Sequence, residues 1–598
     1  MSEDIPVTRG YIGGRGKGGN MQRGAAGPTS LAADRGELDD AALNAAVAEI
    51  AEKSTWWADM APGARADLLE ATIRSTLAQA PAWLEAACEA KGFDSKSSAA
   101  GEELFSGIGT FVRMASTLID SLRDLDAGRQ PQFPGPVTES PDGRLVVGVF
   151  PTSTFDRLLY AGTTGQVWIE SGVTRSQLER DQARAYKDRK AHAGVSLVLG
   201  AGNVASLGPR DVLTKLFVEG HTVLLKANPV NDYLVPHWNA AMAPLVQAGV
   251  LRIVTGGAAA GAYLCRHELI DDIHVTGSDK TFDAIVYGTG EEGAANKASD
   301  SPIVTKPVTG ELGSVSPVIV VPGVWSHADI AYQAEHVATM LANNAGFNCL
   351  TPRVLITWKH WPQREAFMTA LSDVLRKTPA RRAYYPGAQE RYRAFKEAHP
   401  DLLELGGAQS GTLPWAIVTD VDARSVNDIC FNVEAFCSLT SETALDAESE
   451  AAFVDAAVAF ANDVVWGSLS ATILAHPTSL ADPEVGPRIE DAIAKLRYGS
   501  IGVNLWHAIS FALGVTTWGA YPGHARNDIQ SGVGVVGNAF MLEHTVKSVV
   551  RGPFRAKPKP AWFVTSRSSL AVMTRLLAFE AQPSWRRLPG LMMAALRS

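Results

Sequence analysis

The chain has 598 residues, 46% hydrophobic and 20% charged, with a net charge of −9. At roughly 100 to 200 residues per domain, that length suits two or three domains with a sizeable core. The balance is not that of a disordered chain or a nucleic-acid binder, so small-molecule partners are expected. Five scattered cysteines, without a CxxC pair, fit a reducing, cytoplasmic setting better than a disulfide framework or zinc site. No metal is expected.

Met1 to Gly36 is rich in Gly and Arg and lacks the apolar core of a signal peptide, so a flexible arm over residues 1–36 is expected. From Leu38 to about Ala90 apolar residues recur at helical spacing, which predicts a helical N-terminal layer. Leu145 to Phe150 and Gly165 to Ile169 read as β-rich runs suited to an edge ribbon. A charged helix is expected near Arg175 to Lys190.

Beyond it the pattern changes. Val195 to Gly200, Thr222 to Lys226, Leu251 to Val254 and Asp272 to Val275 read as short apolar strands. Helical segments such as Asp211 to Glu219 and Tyr233 to Ala248 separate them. Strand, helix, strand in repetition predicts a parallel α/β sheet. A second set follows: strands at Val318 to Val321, Val354 to Thr357, Ala416 to Val418 and Ala471 to Ala475, with helices at Asp329 to Asn343 and Gln363 to Arg376. There is no internal repeat and no apolar run long enough to cross a bilayer.

Cys349, in the run Asn344-Ala345-Gly346-Phe347-Asn348-Cys349, and Glu311, 38 residues earlier in Thr309-Gly310-Glu311-Leu312-Gly313, supply a thiol and a carboxylate. Such a pair can do covalent chemistry on a carbonyl: the thiolate attacks and the carboxylate activates water. In parallel sheets, ligand-binding residues gather at the carboxyl ends of strands. Asn203, Lys226 and Thr276-Gly277-Ser278 all stand there, and a Gly-Ser turn opening a helix can meet a phosphate. Together they outline a dinucleotide site. Singly each has a plainer reading: Asn203 as a turn residue, Glu311 as a capping carboxylate, Glu434 as a surface charge, Lys226 as a solvated strand end. Gly256 to Gly261 is a poor match to GxGxxG.

These blocks resemble the aldehyde dehydrogenase superfamily over about Thr55 to Val550. Asn203 matches the family's Pro-Trp-Asn asparagine and Lys226, 23 residues on, its lysine. Gly256 to His267, followed by Ile270 to Ser278, is similar to its Gly-rich helix and Phe-Thr-Gly-Ser turn. Glu311 to Pro317 is similar to Glu-Leu-Gly-Gly-Lys-Ser-Pro, and Glu434-Ala435-Phe436 to Glu-x-Phe-Gly-Pro. The resemblance implies catalysis by Cys349, Glu311 and Asn203. It also implies cofactor binding by Lys226, Gly257, Thr276, Gly277, Ser278 and Glu434, with NAD or NADP as cofactor.

Four departures qualify it. Gly202 replaces the tryptophan before Asn203, and Pro229 stands where NAD users often carry Glu, which leaves NADP open. The segments Tyr287 to Val308 and Trp518 to Ser531 carry extra residues, with Thr517-Trp518-Gly519-Ala520 in place of Pro-Phe-Gly-Gly. Cys437-Ser438 replaces Gly-Pro, where a second thiol near the cofactor or a packed Cys are the two readings. The tail from Arg551 to Ser598 has nine Arg or Lys against one acid, Glu580, a balance of +8. Its apolar stretches allow contact with an anionic membrane surface, or packing over a neighbouring subunit or the active-site mouth. The family's long-chain fatty aldehyde members place a C-terminal helix at the substrate mouth, which suggests an apolar substrate.

The expected fold is therefore α/β and aldehyde dehydrogenase-like: two doubly wound parallel-sheet domains plus a β-ribbon for oligomerisation. A dinucleotide-binding domain is expected over 37–140 and 176–310, a catalytic domain over 311–508, the ribbon over 141–175 and 509–552, and a basic extension over 553–598. The expected activity is NAD(P)-dependent oxidation of an aldehyde to an acid by a homodimer or homotetramer, with no nucleic-acid partner. A coenzyme A-acylating enzyme and a catalytically silent scaffold are the alternatives.

Overall fold

The computed structural model describes residues 39–597, so the expected arm over 1–36 lies outside the described residues. Two sheets organise them. In the six-stranded sheet, Leu251–Val254, Thr222–Lys226, Val195–Leu199, Asp272–Thr276 and Val308–Glu311 run parallel in that spatial order, and Gly532–Val533 closes the edge antiparallel. Every residue of Thr222–Lys226 and Asp272–Thr276 is buried. A parallel sheet with helices on both faces has no solvent side, and apolar runs such as Val223-Leu224-Leu225 satisfy it.

The eleven-stranded sheet has a parallel centre made of Thr545–Arg551, Ser500–Val503, Ser470–Leu474, Ser316–Val320, Pro352–Trp358, Leu439–Leu445 and Trp415–Val418, with Leu403–Leu405 antiparallel at one end. At the other end Val137–Glu139, Leu145–Phe150 and Thr164–Ile169 form an antiparallel ribbon. Thr164–Ile169 joins Thr545–Arg551 with Val167 opposite Ser548. The ribbon is thus continuous with the second sheet.

The N-terminal layer consists of Asp40–Ala51, Ser54–Asp59 and the long helix Pro62–Lys91. The Trp57 indole N–H donates to the Leu216 carbonyl at 3.1 Å, which ties the layer to the helical segment before the strand Thr222–Lys226. Three expected helices are broken. The segment expected at Arg175 to Lys190 is two short helices, Arg175–Asp181 and Arg184–Lys187, because Ala183 turns left-handed at φ 54° and its N–H donates to Met541. Asp211 to Glu219 is an α-helix, Leu207–Leu213, continued by a π-helical turn, Thr214–Glu219. Tyr233 to Ala248 divides at Met242 because Pro244 has no N–H to continue the ladder.

The stretch 100–126, which carries no motif, is helical: Ala100–Glu103, a π-helical turn Leu104–Gly109, and Thr110–Asp126. It packs between the helix Pro62–Lys91 and the C-terminal helix Ser569–Ala581. No helix among the described residues is long and apolar enough to cross a membrane.

Candidate active site

Cys349 lies between the helix His327–Ala342 and the strand Pro352–Trp358. Ser326 and Asp329 form a capping box that fixes where this helix starts. At its end the chain reverses through three left-handed residues, Asn344 (φ 52°), Ala345 (φ 56°) and Gly346 (φ 78°). A Cβ on Gly346 would sit 2.3 Å from the Cys437 carbonyl oxygen, so the turn requires glycine.

The turn presents the thiol to Glu311, the last residue of Val308–Glu311. Cys349 Sγ–H donates to Glu311 Oε1 at 3.3 Å, and Glu311 Oε2 is buried without a hydrogen-bond partner. Burial is the main cause that raises the Glu311 pKa; Trp518, the Cys349 thiol and the Arg210 guanidinium pull it back. The Trp518 indole N–H is near this carboxylate without full hydrogen-bond geometry. The Cys349 thiol is held well above the usual thiol range by burial first, then by the Glu311 and Glu434 carboxylates. Without a bound ligand the stable form is thiol, with an unpaired acceptor oxygen beside it.

Asn203 faces the same point from the loop after Val195–Leu199. Its Nδ2 donates to the Phe347 carbonyl at 2.9 Å, and its own carbonyl accepts from Asn344 Nδ2 at 2.9 Å and Tyr384 OH at 2.8 Å. Asn344 Oδ1 in turn accepts from Lys91 Nζ and Tyr384 OH, both at 2.9 Å. Lys91 is also ion-paired with Glu103 in the interior. Cys349, Glu311 and Asn203 line one cavity of about 60 Å³, together with Trp518, Phe511 and Phe105.

The remaining candidates gather at the carboxyl edge of the six-stranded sheet. Lys226 ends its strand and runs beside Gly256, whose φ of 145° and tight approach to Ala260 turn the chain into the helix Ala258–Arg266, with Gly257 at the N-cap. Thr276 ends Asp272–Thr276. Its hydroxyl donates to Asp211 Oδ2 at 3.0 Å, so it is committed within the protein. Gly277 N–H donates to the Glu311 carbonyl, and Ser278 caps the helix Asp279–Val286. A Cβ on Gly277 would meet nothing closer than 3.9 Å, so its face is open. One lysine and two helix N-termini on one sheet edge fit the phosphates of a dinucleotide. Glu434 is buried outside the cavity lining, and its charge reaches Cys349 and Arg353.

Two of the departures acquire a physical reason. A Cβ on Gly202 would come within 2.7 Å of Asn228 Oδ1 and 2.8 Å of Val230 Cβ, so the segment after Lys226 fills the space a larger residue would need. Cys437 is fully buried with its pKa pushed up to about 11, so it is a packed thiol. Sequence reading missed Arg210 and passed over Trp518 as a mere departure. Arg210, 1% exposed, has its guanidinium 3.6 Å from the Phe511 ring centroid. Its pKa is lowered to about 9 by burial, and its charge reaches Asp211 and Glu311. The only local signal was an Arg-Asp pair opening an apolar stretch.

Residues 168–389 match the Aldehyde dehydrogenase family pattern. A "Probable aldehyde dehydrogenase" of Streptomyces coelicolor is 26% identical over 358 residues, 56% of this chain and 62% of that protein, so the chain spans less than two thirds of this curated relative. An NAD-dependent aldehyde dehydrogenase from Sinorhizobium meliloti shares the fold with a TM-score of 0.55 at 18% identity, covering 87% of this chain and 89% of its own. The NADP-dependent glyceraldehyde-3-phosphate dehydrogenase from Bacillus halodurans, solved with NADP, does so with a TM-score of 0.56 at 16% identity, covering 86% and 91%. The chain thus carries the aldehyde dehydrogenase family pattern over residues 168–389 and shares the fold of solved aldehyde dehydrogenases.

Proposed function

We propose that the protein is a cytoplasmic NAD(P)-dependent aldehyde dehydrogenase that oxidises an aldehyde to a carboxylic acid. The observation that carries this reading is the convergence of Cys349, Glu311 and Asn203 on one cavity, with sulfur and carboxylate 3.3 Å apart. The Cys349 proton passes to Glu311 Oε1, and Sγ bonds to the aldehyde carbon. The carbonyl oxygen takes the electron pair and is held by Asn203 Nδ2 and the Cys349 backbone N–H, donors set before charge develops. Bound NAD or NADP supplies the hydride acceptor. Lys226, Gly257, Gly277 and Ser278 hold its phosphate and ribose groups, Thr276 braces that edge through Asp211, and Glu434 takes the second ribose. Loss of hydride from the thiohemiacetal leaves a thioester on Cys349. Glu311, having released the first proton to solvent, then removes a proton from the attacking water, and the acid departs as the sulfur regains its proton.

Glu311 favours hydrolysis over acyl transfer to coenzyme A, because a carboxylate with one unpaired oxygen at a small cavity is suited to orient water. A catalytically silent scaffold would have no use for the thiol–carboxylate contact. Val137–Glu139 is the ribbon's edge strand, paired on one side with Leu145–Phe150, and its outer side suits a homodimer or homotetramer. The exposed Trp585, Met592 and Met593 beside Arg586 and Arg587 suit peripheral contact with a membrane. The test is NAD(P)H formation from an aldehyde panel with each cofactor. Activity that survives Cys349→Ala, or an acyl-coenzyme A product formed only when coenzyme A is added, would defeat this reading.

A further inference from the structure

Two clusters of metal-ligating side chains lie outside the Cys349 site. In the first, Glu219, His221 and Asp272 bring their ligand atoms within 4.8 Å of one another. Lys215 Nζ stands 2.7 Å from Glu219 and 3.1 Å from Asp272, so an ammonium already supplies the positive charge there.

The second cluster has no such partner. His399 follows the helix Ala388–Ala398, and Asp428 and Cys430 open the short helix Ile429–Asn432. A nitrogen, an oxygen and a sulfur of these three residues lie within 4.8 Å of one another. His399 Nε2 is 2.9 Å from Asp428 Oδ1, and among the described residues no lysine or arginine pairs with this carboxylate. The Cys430 N–H donates to the same oxygen at 2.9 Å, which holds the carboxylate beside the thiol. Sequence reading expects no metal because no CxxC pair is present, and it misses this cluster, whose histidine lies 29 positions before its carboxylate.

The donor set fits a tetrahedral ion. Zinc holds nitrogen and oxygen at about 2.1 Å and sulfur at about 2.3 Å, which sets the ligand atoms about 3.3 to 3.6 Å apart, so closure asks for side-chain shifts of about 1 Å. Thiolate and carboxylate carry two negative charges and neutral imidazole none; a divalent cation cancels them, as a sulfur on a residue 1% exposed requires. Sulfur and imidazole select zinc over magnesium or calcium, which take oxygen ligands. The side chains of His399 and Asp428 are 21% and 16% exposed, so the ion enters from their side and water completes the four ligands. An unmet acceptor stands in the same helical turn: Asn432 Oδ1 is buried without a hydrogen-bond partner, while its Nδ2 donates to the Asp428 carbonyl at 2.8 Å.

We propose that His399, Asp428 and Cys430 bind one zinc ion, which clamps the turn leading to Glu434 against the end of the helix Ala388–Ala398. The Cys430 proton leaves to solvent as the sulfur takes the metal. The site shares no residue with the Cys349 cavity, so it stands or falls apart from the dehydrogenase reading.

The experiment uses the full chain, dialysed against EDTA and titrated with cobalt(II) and then zinc. Expected is one cobalt per chain with a near-ultraviolet sulfur-to-cobalt charge-transfer band, loss of that band as zinc displaces cobalt, and a Tm raised by zinc. The band should persist in Cys349→Ala and be absent from Cys430→Ser. His399→Ala, at a part-exposed position, should keep the metal-free Tm and weaken zinc binding by at least roughly tenfold. His221→Ala, in the lysine-paired cluster, should bind zinc as the wild type does. No band in the wild type, a band that survives Cys430→Ser or vanishes in Cys349→Ala, or a smaller change in His399→Ala would overturn the proposal. Should Cys430→Ser fail to fold, His399→Ala decides alone.

Discussion

The Cys349 cavity and the chamber beside it are built on opposite principles. The first, about 60 Å³, is lined by one thiol and one carboxylate, Cys349 and Glu311, leaves Glu311 Oε2 without a hydrogen-bond partner, and is reached by the charges of Arg210 and Glu434 from outside its lining. The second, about 280 Å³, lies beneath the C-terminal extension, its roof, and shares Phe105, Thr110 and Ala512 with the first. It has a mainly apolar lining, and Arg113, Glu580 and Lys559 on its wall are matched by other protein groups. An unmet buried polar group is costly to the fold and useful to a reaction. A satisfied apolar wall costs little and can only bind. The difference separates chemistry from selection, and each side can be broken without the other.

The largest effect expected is from Cys349→Ala. Removing the atom that bonds to substrate should lower kcat by at least roughly 10³-fold. NAD(P)H absorbance measures this. Asn203→Ala should follow, with kcat lower by roughly 10²- to 10³-fold because one donor to the developing oxyanion is lost. A change confined to KM would instead assign Asn203 to ground-state binding.

Glu311→Gln should release one equivalent of NAD(P)H per site and then stall, leaving an acyl adduct on Cys349 that intact-mass spectrometry detects. Glu311 must be ionised to act, and burial raises its pKa. Wild-type turnover should therefore fall as pH drops through a value above the ordinary carboxylate range, and that limb should be absent from any residual hydrolysis by Glu311→Gln. Stability runs the other way. A carboxyl whose folded pKa is raised favours folding in its protonated state, and that contribution is lost as pH rises from the unfolded value through the folded one. Glu311→Gln should thus raise Tm near neutral pH, and a lowered Tm would mean the carboxylate is structurally supported there.

The smallest effect expected is from Glu580→Gln at the chamber roof. Arg113 keeps Asp156 but loses one charged partner, so stability should fall by about 1–3 kcal/mol in denaturant unfolding. Aldehyde oxidation should be unaffected, and a loss of activity would show that the roof also supports the Cys349 cavity.

How far local pattern reached varies from residue to residue. Lys226 and Glu311 could be read as strand-end residues because apolar runs punctuated by polar ends announce a parallel sheet, and the loops at those ends are where side chains are free to meet a ligand. Cys349 followed from its motif. Thr276 is expected among the cofactor-binding residues from its place at a strand end, whereas its hydroxyl is turned inward to Asp211, a partner 65 residues earlier. Ala183 broke an expected helix because a contact with Met541, distant in the chain, outweighs local propensity. Arg210 gave almost no local signal, since its importance lies in being stacked on Phe511 next to Glu311.

The amino-acid order alone set the alternation of strands and helices, the blocks that mark the superfamily, and the candidate thiol, acid and amide, because backbone periodicity and strand-end chemistry are local properties. Only the folded chain decided that Gly202 faces Asn228 and Val230, that stretch 100–126 walls two cavities at once, and that the basic tail is a roof. Arg113 and Glu580 meet across 467 positions. No local period encodes such a meeting, which exists only once helices have packed and brought remote surfaces within hydrogen-bond distance.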